Sequence, residues 1–421
     1  MKKKILVIMV LALVAIVCAD VLIYFSKNNP FIKSPSATTN NNKALACATA
    51  VVDVNNGFAF NLYNQLKNDS GNVFFSPYSL STAFAMVYEG ARGNTAKEMQ
   101  AVFQFPTDET DRRIAYQALN DRLTTTNTDY QFNVANALWV QQDYKLQADY
   151  LNTVHQYFGG EATNLDFANN PEASRNTINT WVADKTNDKI KDLFPNGTIS
   201  EITKLVLTNA VYFKGEWLTQ FNQTDTSEEN FNISSTETVR VPMMQQTNTA
   251  TKFRYVADVT TQVLELPYQG KQLSMLVLLP KTNDLSILES SLSVKQLDAW
   301  KASLNEQLVD VYLPKFTLDT KYTLNDTLKA MGMPTAFSTN ADFSGMDGTK
   351  DLFIQSVIHQ AFIDVNEAGT EAAAATGVTT SLSAAQTEIP VFRADHPFVF
   401  IILDNQSGNI LFMGRMVDPL K

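Results

Sequence analysis

An α+β fold is predicted, with helices and strands segregated along the chain rather than alternating as βαβ units. Three observations carry that prediction. Apolar residues at helical spacing dominate the early chain, and short apolar runs joined by turns dominate the second half. The last two runs, "FVFIILD" and "NILFMGRM", are apolar on both faces, as buried strands are. The chain has 421 residues, 45% hydrophobic and 18% charged, which is enough for a large packed core and too apolar for disorder. Length alone would allow two or three domains, but no internal linker or fixed-period repeat divides the sequence.

Each element can be justified in order. Lys2 to Lys4 precede an apolar run, Ile5 to Phe25, that Asp20 interrupts. Val17-Cys18-Ala19 ends in a small residue, as a signal-peptide cleavage site should. Uncleaved, residues 1–25 are about long enough to span a bilayer as a signal-anchor helix with the lysines inside. Either reading exports the remainder, so an extracellular protein is expected, secreted or membrane-anchored by this segment alone. Residues 26–47 are rich in Asn, Ser and Thr and read as a flexible polar stalk. The domain itself is expected over residues 48–421. Its first helix should run from Ala48 to Leu66, where Val52, Phe58, Phe60, Leu62 and Leu66 share much of one face. Val73 to Phe75 is a short apolar strand. Ser76-Pro77 starts a helix, since proline at the first helical position loses no needed hydrogen bond. Leu80, Phe84 and Val87 continue its buried face until Gly90 and Gly93 end it. Thr95 followed by Glu98 reads as a capping box opening another helix. Then "QVLELPYQGKQLSMLVLLP" predicts a hairpin turning at Gln269 to Lys271, "LVDVYLPKF" alternates, and a final hairpin turns at Asn405 to Gly408.

The same residues exclude several functions. A net charge of −10, with no basic run beyond Lys2 to Lys4, argues against a grip on nucleic-acid phosphates. Two cysteines occur, and Cys18 lies in the first apolar segment, so no intramolecular disulfide with Cys47 is expected. There are three histidines and no HExxH, paired CxxC, Walker A, GxGxxG or GxSxG pattern, so no metal, cofactor or enzyme activity is expected. A triad assembled from distant residues is defined by geometry, and nothing here singles one out. His359 sits among apolar neighbours and reads as a satisfied core histidine. His396, before Pro397 and a buried strand, reads as structural.

Five segments, taken in order, resemble the serpin family: "NVFFSPYSLSTAFAMVYEGARGNTAKEM", "LTNAVYFKGEW", "VLELPYQGKQLSMLVLLP", "SVIHQAFIDVNEAGTEAAAAT" and "ADHPFVFIILDNQSGNILFMGRM". The resemblance runs from about Val51 to Pro419. It implies one domain of three β-sheets and eight or nine helices, with an exposed reactive loop at about residues 367–390. It implies an irreversible suicide-substrate inhibitor that traps a serine protease as its acyl-enzyme, with cysteine proteases a second class. A monomer without cofactors is implied. A non-inhibitory serpin, acting as a binding or carrier protein, is the alternative.

In that reading Glu367, Gly369, Thr370, Glu371, Ala372, Ala373, Ala374, Ala375 and Thr376 form the hinge of the loop, which inserts into the central sheet after cleavage. Insertion demands small, uncharged side chains at Thr370, Ala372, Ala374 and Thr376, which would face the sheet interior, and it bars proline. No proline occurs between Gly369 and Gln386, and Glu371 falls on the outward face. Gly369 supplies a bending point. Counting along the loop puts the scissile bond at Ser383–Ala384, with cleavage after Leu382 or Gln386 as alternatives. None of these presents Arg or Lys, so elastase-, subtilisin- or chymotrypsin-like targets fit better than trypsin-like ones. The resemblance also assigns Ser76, Ser79, Asn209 and His359 to a polar cluster beneath the opening sheet. By the same resemblance, Trp217 would lie near the insertion point, and Lys315 would pair with Glu367 there. Ala368 departs from the family, which more often carries a charge at that place.

Overall fold

Helices form where the apolar period is near 3.6, and strands where β-branched and aromatic residues cluster between turns. The computed structural model describes residues 37–68, 70–124, 129–247, 250–370 and 389–421, with side chains from Lys43 onward. The signal or anchor segment lies outside these residues, as do hinge residues Glu371 to Thr376 and the candidate cleavage positions Leu382, Ser383, Ala384 and Gln386. Two units are distinguished, Met1–Leu45 and Ala46–Lys421, and the second contains all three sheets.

In chain order the described elements begin with α1 (Ala37–Leu66), β1 (Val73–Phe75), α2 (Pro77–Gly90), α3 (Gly93–Phe103) and α4 (Glu109–Thr124). Next come β2 (Tyr130–Gln141), α5 (Ala148–Phe158), β3 (Glu161–Leu165), α6 (Pro171–Lys185) and β4 (Leu205–Glu216). The chain continues through β5 (Ser227–Asn232), β6 (Thr238–Gln246), β7 (Lys252–Ala257), β8 (Thr261–Pro267) and β9 (Leu273–Pro280). Helices α7 (Ser286–Ser291) and α8 (Val294–Ser303) lead to β10 (Asn305–Leu308), β11 (Asp310–Pro314) and β12 (Phe316–Thr323). Short helices α9 (Asn325–Met331) and α10 (Ser344–Asp347) precede β13 (Ser356–Asn366), β14 (Gly369–Thr370), β15 (Val391–Arg393), β16 (Phe398–Asp404) and β17 (Ile410–Met416).

A six-stranded sheet, β12-β13-β14-β4-β2-β3, faces a seven-stranded one, β1-β17-β16-β9-β8-β7-β10. Aromatic rings fill the space between them: Phe412 of β17 lies 5.7 Å from Phe132 of β2 and 5.8 Å from Phe213 of β4. A third sheet, β15-β11-β6-β5, carries the chain that returns from the loop. Helix α2 is buried along nearly its whole length beneath the six-stranded sheet. A separate, smaller core covers that sheet's opposite face, where Ile178 and Val182 of α6 meet Ala135, Ala210 and Ile358.

The three sheets and the α+β segregation match expectation, and ten α-helices occur among the described residues. Both hairpins turn at the expected residues. Two local readings are corrected. Helix α1 begins at Ala37, so the C-terminal part of the stretch read as stalk is helical. Alanines at 44, 46, 48 and 50 favour continuation once the helix is nucleated. The capping box does not form, because α3 starts at Gly93, which leaves Thr95 inside its first turn. The Thr95 hydroxyl oxygen instead accepts from the Asp342 N–H, and the Glu98 carboxylate accepts from the N–H and hydroxyl of Thr335.

Candidate functional site

The site is the seam between β4 and β13. Over Ser356–Phe362 and Val206–Tyr212 these strands pair directly and run parallel. Above that stretch they diverge, and the two residues of β14 occupy the gap, antiparallel to both neighbours. Thr370 stands opposite Val365 on one side and Gly215 on the other, and Gly369 opposite Asn366 and Glu216. The hinge expected to insert after cleavage has therefore already contributed two residues in the intact chain.

Close approach explains why glycine begins that insertion. A Cβ on Gly369 would lie 2.2 Å from the Gly215 carbonyl oxygen and 2.6 Å from Glu216 Cα. Backbone cannot move aside as a flexible side chain can, so glycine is required by space as well as by bending. Thr370 follows with its side chain fully buried, as the period of two predicts, and its hydroxyl lies 2.9 Å from that of Tyr268. Tyr268 in turn stacks on Trp217, with ring centres 4.6 Å apart.

Trp217 holds the turn that delivers the hinge. Its indole N–H donates to the Asn366 carbonyl at 3.0 Å, and its backbone N–H donates to the Ala368 carbonyl at 3.0 Å. Glu367 carries the expected ion pair, with Lys315 Nζ at 2.9 Å, and its other oxygen accepts from the Thr226 hydroxyl at 2.8 Å. Burial pushes the Glu367 carboxyl up, but the bonds from Lys315, the backbone and Thr226 outweigh it and hold the group below the usual range. Ala368 is buried, so the small residue suits this turn.

Lower in the seam the expected polar cluster is assembled. Ser76 caps α2, its hydroxyl oxygen accepting from the Ser79 N–H at 3.2 Å while its O–H donates to the Leu411 carbonyl at 2.6 Å. The Ser76 N–H donates to His359 Nε2 at 3.1 Å, so the ring proton sits on Nδ1, which donates to Asn209 Oδ1. Asn209 Nδ2 donates to Ser79 Oγ at 2.6 Å and to Asn136 Oδ1. All four expected residues are buried, and one bond of the cluster crosses the seam itself: His359 is on β13 and Asn209 on β4. Burial lowers the His359 pKa to about 3, so the imidazole is neutral and serves as a satisfied core group. His396 is held by Asp395 and the Pro280 carbonyl, a structural role.

Sequence reasoning missed Asn136, Tyr268 and Thr226. Asn136 had a signal, being a polar residue within the apolar run "VANALWV". Tyr268 and Thr226 had none, because their partners are distant in sequence.

A family model described as serpin (serine protease inhibitor) matches residues 53–419. The chain belongs to the serpin family. An uncharacterized serpin-like protein of Thermococcus kodakarensis is 44% identical over 372 residues, covering 88% of this chain and 86% of its own. The leukocyte elastase inhibitor of Bos taurus is 40% identical over 374 residues, covering 87% and 98% respectively. Among solved structures, human thyroxine-binding globulin in complex with thyroxine aligns with a TM-score of 0.81 at 32% identity, covering 89% of this chain and 99% of its own. The family thus includes a protease inhibitor and a thyroxine-binding protein, and this chain is similar to both.

Proposed function

We propose that this serpin is an irreversible suicide-substrate inhibitor of serine proteases with elastase-, subtilisin- or chymotrypsin-like preference. It works as a stoichiometric trap and not as a catalyst. The observation that carries the reading is the register of β14. Continuing the same pairing would set Ala372 between Phe213 and Ile363, Ala374 between Val211 and Ala361, and Thr376 between Asn209 and His359. Each of those flanking residues is fully buried, so only small side chains could enter. On the other face Glu371 would stand beside Lys214 and Asp364, at the partly exposed rim. The alternation of small and tolerated residues in the sequence thus fits this particular slot.

The driving force is backbone pairing. Each added hydrogen bond contributes about 0.5–1.5 kcal/mol net, so a dozen formed together reach on the order of 10 kcal/mol. Cleavage frees the segment to insert, and an acyl-enzyme still attached at the cut is carried along and distorted before deacylation. Opening the seam as far as Thr376 requires the His359–Asn209 bond to break, which makes the polar cluster a checkpoint for the movement. The basic and apolar N-terminal pattern supports export, so the proposed targets are extracellular.

Thr370→Arg tests the reading, because a guanidinium cannot replace a buried hydroxyl facing Tyr268. The wild type, incubated with elastase, subtilisin and chymotrypsin, is expected to give a band of summed mass that survives SDS. The variant is expected to be cleaved without one. Cleavage of the wild type without such a band with every protease would favour the carrier reading instead. Undiminished inhibition by Thr370→Arg would remove insertion as the mechanism.

A further inference from the structure

We infer that Lys189 is a positioning residue that sets how readily β4 and β13 part, an inference that rests on the insertion reading above. Helix α6 ends at Lys185, and the chain turns through Asn187 and Asp188 at φ of 50° and 61°. Asn and Asp tolerate this left-handed region better than most residues. Thr186 fixes the turn: its carbonyl accepts from the Lys189 N–H at 3.0 Å, and its hydroxyl oxygen accepts from the Ile190 N–H at 3.2 Å. Ile190 is fully buried in the smaller core. Lys189 is thereby delivered to one place on the sheet's outer face.

That place is the seam. Lys189 Nζ lies 5.4 Å from the ring centre of Phe362 on β13 and 5.9 Å from that of Tyr212 on β4. The two rings are 6.2 Å apart and belong to the last directly paired rung below the hinge. A cation within about 6 Å of an aromatic face is attracted to it. One ammonium over two rings on two strands therefore ties the strands together where parting must next begin. Continuing the β14 register would place Ala373 between Tyr212 and Phe362, moving them apart by about one strand spacing of 4.8 Å. Lys189 can then keep only one ring. The lysine opposes this step and relaxes its hold once the step is made.

A synthetic peptide spanning residues 369–382, annealed into the intact protein and followed by native gel, reads the seam without any protease. Lys189→Met keeps the stem and removes the charge, and is expected to anneal about two- to five-fold faster than wild type. Lys189→Arg, which restores a cation over the rings, is expected to anneal at the wild-type rate. Phe362→Leu should also accelerate annealing, and Lys189→Met should add little in that background. Equal rates for wild type and Lys189→Met overturn the role of the lysine while leaving insertion intact. Failure of every form to take up the peptide overturns both.

Discussion

At the residue scale, His359 shows how one buried side chain couples pH to the seam. Its Nε2 accepts from the Ser76 N–H, so a proton added there would set donor against donor in a dry site. Burial puts its folded pKa, about 3, below the ordinary histidine value of 6.5, so the unfolded chain takes up the proton first. The stability this contributes is complete above about pH 6.5 and is lost progressively as pH falls toward 3. By pH 5 the loss should reach about 2 kcal/mol. Urea unfolding at pH 7.5 and pH 5 is expected to show that loss in wild type and a smaller one in His359→Gln. An equal loss in both proteins would place the titration elsewhere. Gly369 illustrates the limit of residue-level reading. Its flexibility is legible in the sequence, whereas the backbone contact with Gly215 that demands it comes from a strand more than a hundred residues earlier.

At the element scale, the turn between β13 and β14 is held by groups from three directions: Trp217 after β4, Thr226 before β5 and Lys315 before β12. An exposed ion pair contributes little, but the Glu367 carboxylate is nearly buried, and removing Lys315 leaves it, among the described residues, with the Thr226 hydroxyl as its side-chain partner. A double-mutant cycle of Lys315→Met and Glu367→Gln is expected to give a coupling of about 1 kcal/mol, read by chemical denaturation. Zero coupling would reduce the pair to an ordinary surface contact. Helix α2 and both hairpins were legible because their signals are local: a cap with proline behind it, and apolar runs bounded by turn residues. The start of α3 was not. Thr95 and Glu98 have the spacing of a capping box, but chain from beyond residue 330 engages both side chains instead.

At the scale of the whole molecule, Gly369 and Thr370 lie between β4 and β13 only above the stretch where those two strands pair directly. The direct pairing runs up to Phe362 and Tyr212, and in the proposed insertion β4 and β13 would part and exchange that one pairing for two. The cleaved protein should therefore melt well above the intact one, by about 10–15 °C if insertion contributes on the order of 10 kcal/mol. Calorimetry of intact and loop-nicked protein checks this, and an unchanged midpoint would mean that the intact fold holds no such reserve.

By itself the sequence determined the composition of the segment proposed to insert: glycine to begin it, small residues at alternate places, no proline, and strong core strands after it. Those are local properties of a strand that must pass between others. Only the tertiary structure decided how far β4 and β13 pair directly, what holds the hinge turn, and which rung of the seam would yield first in the proposed insertion. These depend on contacts among Gly215, Tyr268, Thr226, Tyr212, Phe362 and Lys189, whose meeting reflects sheet register and the path of the turn after α6, and neither leaves a periodic trace along the chain.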